Sequence, residues 1–316
     1  MFPALRSLCI FLIATAMLLA LVACNDGSVG HGEDEGIQPN TTPLALASPV
    51  RIDTQSETVL VASDAYREAV HVVDTASLEV RQSIRIAGEP CGVAAFGEGV
   101  LVGNLATQAV EFYPLSGAEH TTFAAGIGRP ASIAVDAAGD RVFVLDGVAE
   151  VVRVFDADGV HLRDVPASGE ITLTRPSALM FDASAQELYV SDFGDPGNSI
   201  AASVKVYSVD GIFLRAISGE GQNVGGWFNP EYVDGFSRPQ GVAVVEGTLY
   251  VADSLLGQLV AFDAVSGSYI ASLGTFGEGP GELYLPLDVE PDGSGNLVVS
   301  SNGNASLVTL STGGAP

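Results

Sequence analysis

From Pro49 onward the chain alternates short apolar runs with turns rich in Gly, Asp and Asn, and the alternation recurs on a fixed period. A Pro opens one apolar run, a second run ends in Asp or Asn, and a third ends near Asp or a turn. Pro49 leads to VLVASD (59–64) and VHVVD, Pro90 to VLVGN (100–104) and VEFYP, and Pro130 to VFVLD (142–146) and VRVFDADG. Pro176 leads to LYVSD (188–192) and VKVYSVDG, Pro239 to LYVAD (249–253) and LVAFDAVSG, and Pro286 to LVVSSN (297–302) and LVTLS. Short runs rich in β-branched and aromatic residues between turn residues read as strands. Self-similarity at a period of roughly 20–50 residues marks a repeat architecture.

Six such units cover about 270 residues, and each of roughly 40 residues has room for four short strands, here called a to d from the axis outward. A lone four-stranded sheet cannot bury both faces, so the sheets must stack as blades, and a closed ring leaves none unpaired. The predicted fold is therefore an all-β, six-bladed β-propeller with four antiparallel strands per blade, spanning residues 43–316. Only STGGAP follows Leu310, too little for strand d of the last blade. The segment PLALAS (43–48) is expected to supply that strand and close the ring.

Ahead of the repeats, residues 8–22 form an apolar or small-residue run preceded by Arg6. The run is shorter than the about 20 residues that cross a bilayer, and it reads as a secretory signal, residues 1–23. Leu21-Val22-Ala23-Cys24 resembles the bacterial lipobox, which implies cleavage before Cys24 and a diacylglyceryl group on its thiol. Asn25 stands where lipoproteins retained in the inner membrane carry Asp, so the resemblance implies an outer-membrane lipoprotein of a bacterial cell envelope. Residues 24–42 are polar, glycine-rich and acidic, and read as a flexible tether.

Charge narrows the choice of partner. The chain carries 38 acidic and 13 basic residues, a net charge of −25, which argues against a nucleic-acid partner and against a basic membrane patch. The membrane contact is then the lipid alone. Of the three Cys, Cys9 leaves with the signal, Cys24 is acylated and Cys91 has no partner for a disulfide.

GTFGEGPGELYLPLDVEPDGSGNLVVSS (274–301) and SRPQGVAVVEGTLYVADSLLGQLVAFD (237–263) resemble NHL repeats, while VHVVDTASLEVRQSIRIAGEPCGVAA is similar to the related YVTN type. The resemblance runs from about residue 48 to the end and implies the propeller fold. It does not choose among enzymes, receptors and scaffolds.

In this topology strand a starts and strand b ends on one face, the top, which also collects the b–c loops and the d–a connections. Asp64, Asn104, Asp146, Asp192, Asp253 and Asn302 form a ring at the ends of strand b, expected to accept hydrogen bonds from turn backbone. Arg129, Arg175 and Arg238 precede the opening prolines of the middle blades, and are expected to pair with Asp146, Asp192 and Asp253. The second position after each Pro faces the axis and is small in four blades, Gly92, Ser132, Ala178 and Gly241; Arg51 and Asp288 are the exceptions and can pair in the channel.

Signals for catalysis are thin. None of His31, His71, His120 and His161 falls at the expected channel, and no Walker A, G-x-S-x-G or H-E-x-x-H motif occurs. No metal site or cofactor is assigned; Asp156-Ala157-Asp158-Gly159 resembles part of a calcium loop without its closing Glu, and reads as a c–d turn. The strongest functional signal is a departure from the repeat: Pro176 to Pro239 spans 63 residues against 40 or 41 in the first units. The surplus lies in the b–c loop 193–203 and the connection 219–236, both on the top face. Phe193, Trp227, Phe228, Tyr232, Glu231 and Asp234 are the candidate partner-binding residues, an aromatic patch rimmed by acids. The reading is a monomeric, lipid-anchored, non-catalytic scaffold for an envelope protein. Its rival is a propeller hydrolase or lyase, similar to lactonases and streptogramin lyases, using channel carboxylates with a divalent cation such as calcium.

Overall fold

The structure, a computed structural model, describes residues 45–56, 58–136, 140–219 and 235–312. Blade 1 comprises β1 (Pro49–Ser56), β2 (Val59–Asp64), β3 (Ala69–Asp74) and β4 (Val80–Arg85). Blade 2 comprises β5 (Pro90–Phe96), β6 (Gly99–Asn104), β7 (Ala109–Pro114) and β8 (Thr121–Ala125). Blade 3 follows with β9 (Pro130–Val135), β10 (Arg141–Asp146), β11 (Val151–Asp156) and β12 (His161–Val165). Blade 4 is built from β13 (Pro176–Asp182), β14 (Glu187–Asp192), β15 (Ser203–Ser208) and β16 (Phe213–Ile217). Blade 5 contains β17 (Pro239–Val245), β18 (Thr248–Asp253), β19 (Gln258–Asp263) and β20 (Tyr269–Leu273). Blade 6 contains β21 (Pro286–Pro291), β22 (Asn296–Ser301) and β23 (Ser306–Ser311). Neighbouring strands pair antiparallel in simple up-and-down order, and the six sheets form the predicted propeller.

Burial follows strand position. The second strand of each blade is covered on both faces: Leu60, Val61 and Ala62 are all fully buried, as are Leu249, Val251 and Ala252. The outermost strands alternate in exposure, as in His161-Leu162-Arg163-Asp164-Val165, where only Val165 is buried. The apolar cores lie between blades: Tyr189, Val204 and Val206 of blade 4 pack with Val242, Val251 and Phe262 of blade 5. Side chains stitch the inner strands together as well. Ser63 Oγ donates to Cys91 O at 2.7 Å, and Ser300 Oγ to Val50 O at 3.3 Å.

The ring closes otherwise than expected. Residues 45–48 lie outside any strand, and blade 6 has three strands among the described residues; Pro43 and Leu44 lie outside them. The physical reason is that this segment has another task. The N–H groups of Ala47 and Ser48 donate to the Asp64 carboxylate at 2.6 and 3.1 Å, while Leu46 packs on the core shared by blades 1 and 6. Closure is made by that core, Ile52, Leu60, Ala62 and Val73 against Val298 and Leu307. Polar links reinforce it: Asn302 Nδ2 donates to Ser48 Oγ at 2.9 Å, and Thr54 Oγ1 to Pro291 O at 2.8 Å.

Candidate functional site

The top of the ring is organised by the polar residues, mostly Asp, that end the second strands. Each opening Pro faces one of them in register: Pro49 and Asp64, Pro90 and Asn104, Pro130 and Asp146, Pro176 and Asp192, Pro239 and Asp253. In blade 6 the partner of Pro286 is Ser301, one residue before the expected Asn302, and Ser301 Oγ accepts from Tyr284 N at 2.9 Å. Backbone donors supply most of the contacts. Asp253 accepts from the N–H groups of Ser237, Arg238, Leu255 and Leu256 at 2.8 to 3.2 Å.

The counter-charges come from a different strand than expected. Among the described residues no side-chain ion pair joins Arg129 to Asp146, Arg175 to Asp192 or Arg238 to Asp253. Asp146 is instead paired with Arg153 at 2.9 Å and Asp192 with Lys205 at 2.9 Å, both from the third position of the third strand. Blade 1 puts His71 at that position, its Nε2 3.6 Å from Asp64, and blade 2 puts Glu111 there, accepting from Asn104 Nδ2 at 3.1 Å. The third strand lies flat against the second, so a side chain two pairs below the acid reaches it without leaving the sheet. That polar residue in an otherwise apolar run, AVHV, AVEF, VVRV and SVKV, was a signal available in the sequence.

The electrostatics follow from this supply. Burial opposes ionisation of Asp146, but N–H bonds from Ala149, Arg129 and Val148 together with Arg153 outweigh it and hold the carboxyl below its ordinary value. Blade 5 has Val260 in place of the cation, and there burial wins: the Asp253 carboxyl is pushed up despite its four backbone donors.

On the axis, the structure brings Arg51 and Asp288 together, with Arg51 Nη1 3.5 Å from Asp288 Oδ1. The guanidinium does more than pair. Its Nε donates to Ala131 O at 3.3 Å, Nη1 to Leu287 O at 2.6 Å and Nη2 to Ser177 O at 2.6 Å, so one side chain from blade 1 reaches blades 3, 4 and 6. The small residues at two equivalent positions answer to the close approach of the next blade's inner strand: a Cβ at Gly92 would lie 3.0 Å from Pro130 O, and one at Gly241 would collide with Asp288. Below this plug, Asp53 accepts from Ala95 N at 2.7 Å, and Glu290 shares the blade 1–blade 6 wall with Asp53 and Asp288. Burial raises the Asp53 carboxyl to about 7, with Asp288 adding to the rise, and burial raises Asp288 to about 6 against the pull of Arg51. Glu290 is raised by burial and by both neighbours. Among the described residues no group of three or more His, Cys, Asp or Glu is arranged to hold a metal ion.

The described histidines lie off the axis, and His31 lies outside the described residues. His71 is buried with Nδ1 2.9 Å from Ser83 Oγ, His120 stacks on Tyr113, and His161 pairs with Asp164 at 2.8 Å. Asp156 closes a turn, accepting from Asp158 N and Val160 N at 3.0 and 2.8 Å.

Of the candidate partner-binding residues, Phe193 is half-buried and its ring carries the Arg238 guanidinium at 4.8 Å. Trp227, Phe228, Glu231, Tyr232 and Asp234 lie outside the described residues, as do Cys24 and the signal and tether segments. The neck of the 219–236 connection is described. Phe236 N donates to Ser218 O at 3.2 Å, so the chain leaves and re-enters the ring at one point, and Phe236 packs on Phe262 at 5.2 Å.

No family model matches the chain. Its fold is similar to that of a protein of unknown function from Bacteroides thetaiotaomicron, with a TM-score of 0.64 and 17% identity over 88% of this chain and 72% of that one. It is also similar to a chain of a nidogen/laminin complex, with a TM-score of 0.58 and 16% identity over 78% and 86% of the two chains. Hydrazine synthase from Kuenenia stuttgartiensis gives a TM-score of 0.60 and 14% identity over 90% of this chain and 99% of that one. At these identities the likeness concerns the fold.

Proposed function

We propose that this chain is a non-catalytic, NHL-type binding propeller, tethered to a bacterial envelope membrane through a lipid on Cys24, that engages a protein partner with the top face of blades 4 and 5. The similar structures include a chain from a protein–protein complex and one from an enzyme, so the fold alone does not choose between scaffold and catalyst. The observation that favours the scaffold is Arg51. Its guanidinium spans the axis and is committed to three backbone carbonyls, where a channel enzyme keeps space for substrate. The surplus length of the 193–203 loop and the 219–236 connection supports the same reading, since the N–H of Phe236 donates to Ser218 O and joins the two ends of that connection within the ring.

The test is a cross-linked pull-down from membranes with wild type and with residues 219–236 trimmed to a short turn. The reading expects one partner recovered with wild type, reduced at least tenfold by the trim and by Trp227→Ala, with unchanged melting temperatures. Equal recovery with all three proteins overturns it. Cys24→Ser is expected to abolish metabolic labelling by palmitate, and persistent labelling removes the anchor from the proposal.

A further inference from the structure

The three arginines of the mouth are not the counter-ions of the acids that end the second strands. Arg129, Arg175 and Arg238 occupy the same position in consecutive blades, immediately before the inner-strand proline. The acids beneath them are already served by Arg153, by Lys205 and by backbone N–H groups. Among the described residues Arg129 and Arg238 have no carboxylate partner, in a chain with 38 acids for 13 bases. Arg175 reaches one, Asp195, at 3.4 Å.

Each guanidinium is positioned by something other than a counter-ion. Arg129 lies along the backbone of Gly147, where any Cβ would collide with its Nε and Nη2, and Nη2 meets Gly147 O only at 3.4 Å. Arg175 is anchored by Nε donating to Gly194 O at 2.8 Å. Arg238 lies over the Phe193 ring at 4.8 Å. The Nε atoms of Arg129 and of Arg238 are both buried without a hydrogen-bond partner. A buried N–H without an acceptor costs free energy, and its usual explanation in a native protein is an ion or water that belongs there. Burial and the nearby Arg175 also lower the Arg238 guanidinium from its ordinary value, against the pull of Asp253.

We propose that Arg129, Arg175 and Arg238 form an oxyanion-binding arc on the top rim, taking a carboxylate, phosphate or sulfate group of the ligand. The planar fork of a guanidinium matches such groups two bonds at a time. This rests on the reading of the top face as the binding face and gives that face its chemistry.

The experiment is thermal unfolding of the whole soluble propeller, residues 24–316 with Cys24→Ser, titrated with sodium phosphate, sulfate or citrate against chloride at matched ionic strength. At about ten times Kd a specific anion is expected to raise Tm by about 3–5 °C, and Arg129→Gln with Arg238→Gln to abolish the rise. Arg129→Lys with Arg238→Lys should keep a weaker response, since charge remains without the fork. A response to citrate alone identifies a carboxylate ligand, and a response to phosphate or sulfate a tetrahedral one. A rise equal to that with chloride overturns the proposal, as does one that survives the double Gln variant. None of these outcomes bears on the pull-down, so failure of the anion site and failure of the scaffold reading are separable.

Discussion

Lys205 Nζ lies 2.9 Å from the Asp192 carboxylate and 2.8 Å from Thr172 O, so a cation from within the sheet neutralises this fully buried acid. Removing one partner of a buried pair leaves an uncompensated charge, which commonly costs about 3–5 kcal/mol. Lys205→Met is therefore expected to destabilise the ring by about 3 kcal/mol in urea unfolding. Arg175→Ala, which loses an exposed contact to Asp195, should cost less than about 1 kcal/mol. Comparable losses for the two variants would return Arg175 to the structural role that its position in the repeat suggests.

Arg51 makes a second, sharper case. Arg51→Met leaves the carbonyls of Ala131, Ser177 and Leu287 without their donor and Asp288 without its cation. Several lost bonds and one orphaned charge together amount to roughly 3–5 kcal/mol. Adding Asp288→Asn should recover part of that loss, because the remaining side chain is neutral. A double-mutant cycle with a coupling near zero would show that the two residues do not share their energy.

The carboxylates of the blade 1–blade 6 wall set a pH dependence with a definite sign. Asp53, Asp288 and Glu290 all have folded values raised above the ordinary carboxylate range. Between the unfolded values near 4 and the folded values of about 6 to 7 the native ring binds more protons than the unfolded chain, so stability falls as pH rises through that window. Tm is expected to drop by on the order of 5 °C between pH 4.5 and 7.5. Glu290→Gln together with Asp53→Asn should flatten the drop. Asp64 and Asp146, lowered below the ordinary value, act oppositely: their contribution is lost only as pH falls below the usual carboxylate range. A Tm that rises across the same window in wild type would contradict the placement of the acidic wall.

The blades were legible in the sequence because each second strand is a largely apolar run ending at a polar acceptor, Asp in four blades, Asn104 in blade 2 and Ser301 in blade 6, and both features are required locally: the run by burial on two faces, the acceptor by turn N–H groups. What was misread depends on register. LVVSSN offers a Ser and an Asn at its end; the pairing of Pro286 with Ser301 decides between them, and a composition rule that looks for Asx chooses Asn302. Antiparallel pairing of strands a and b makes a pair between the arginine before proline and the acid geometrically cheap, whereas registry with the third strand brings Arg153 and Lys205 there first. The segment 43–48 was assigned by counting strands, and the count does not reveal that Asp64 needs the N–H groups of Ala47 and Ser48. Arg51 and Asp288 stood out as exceptions to a small-residue position, but reach across the axis cannot be read from a repeat. It requires three other blades to be in place.

That reach changes how the molecule comes apart. Repeat proteins are commonly coupled only between nearest neighbours, so they can fray one unit at a time. Arg51 ties blade 1 to blades 3 and 4, which are not its neighbours in the ring, as well as to adjacent blade 6. Opening any of these blades breaks a bond that holds the others, and the cost is shared around the circle. The expected outcome is that this modular chain unfolds in one cooperative transition rather than blade by blade.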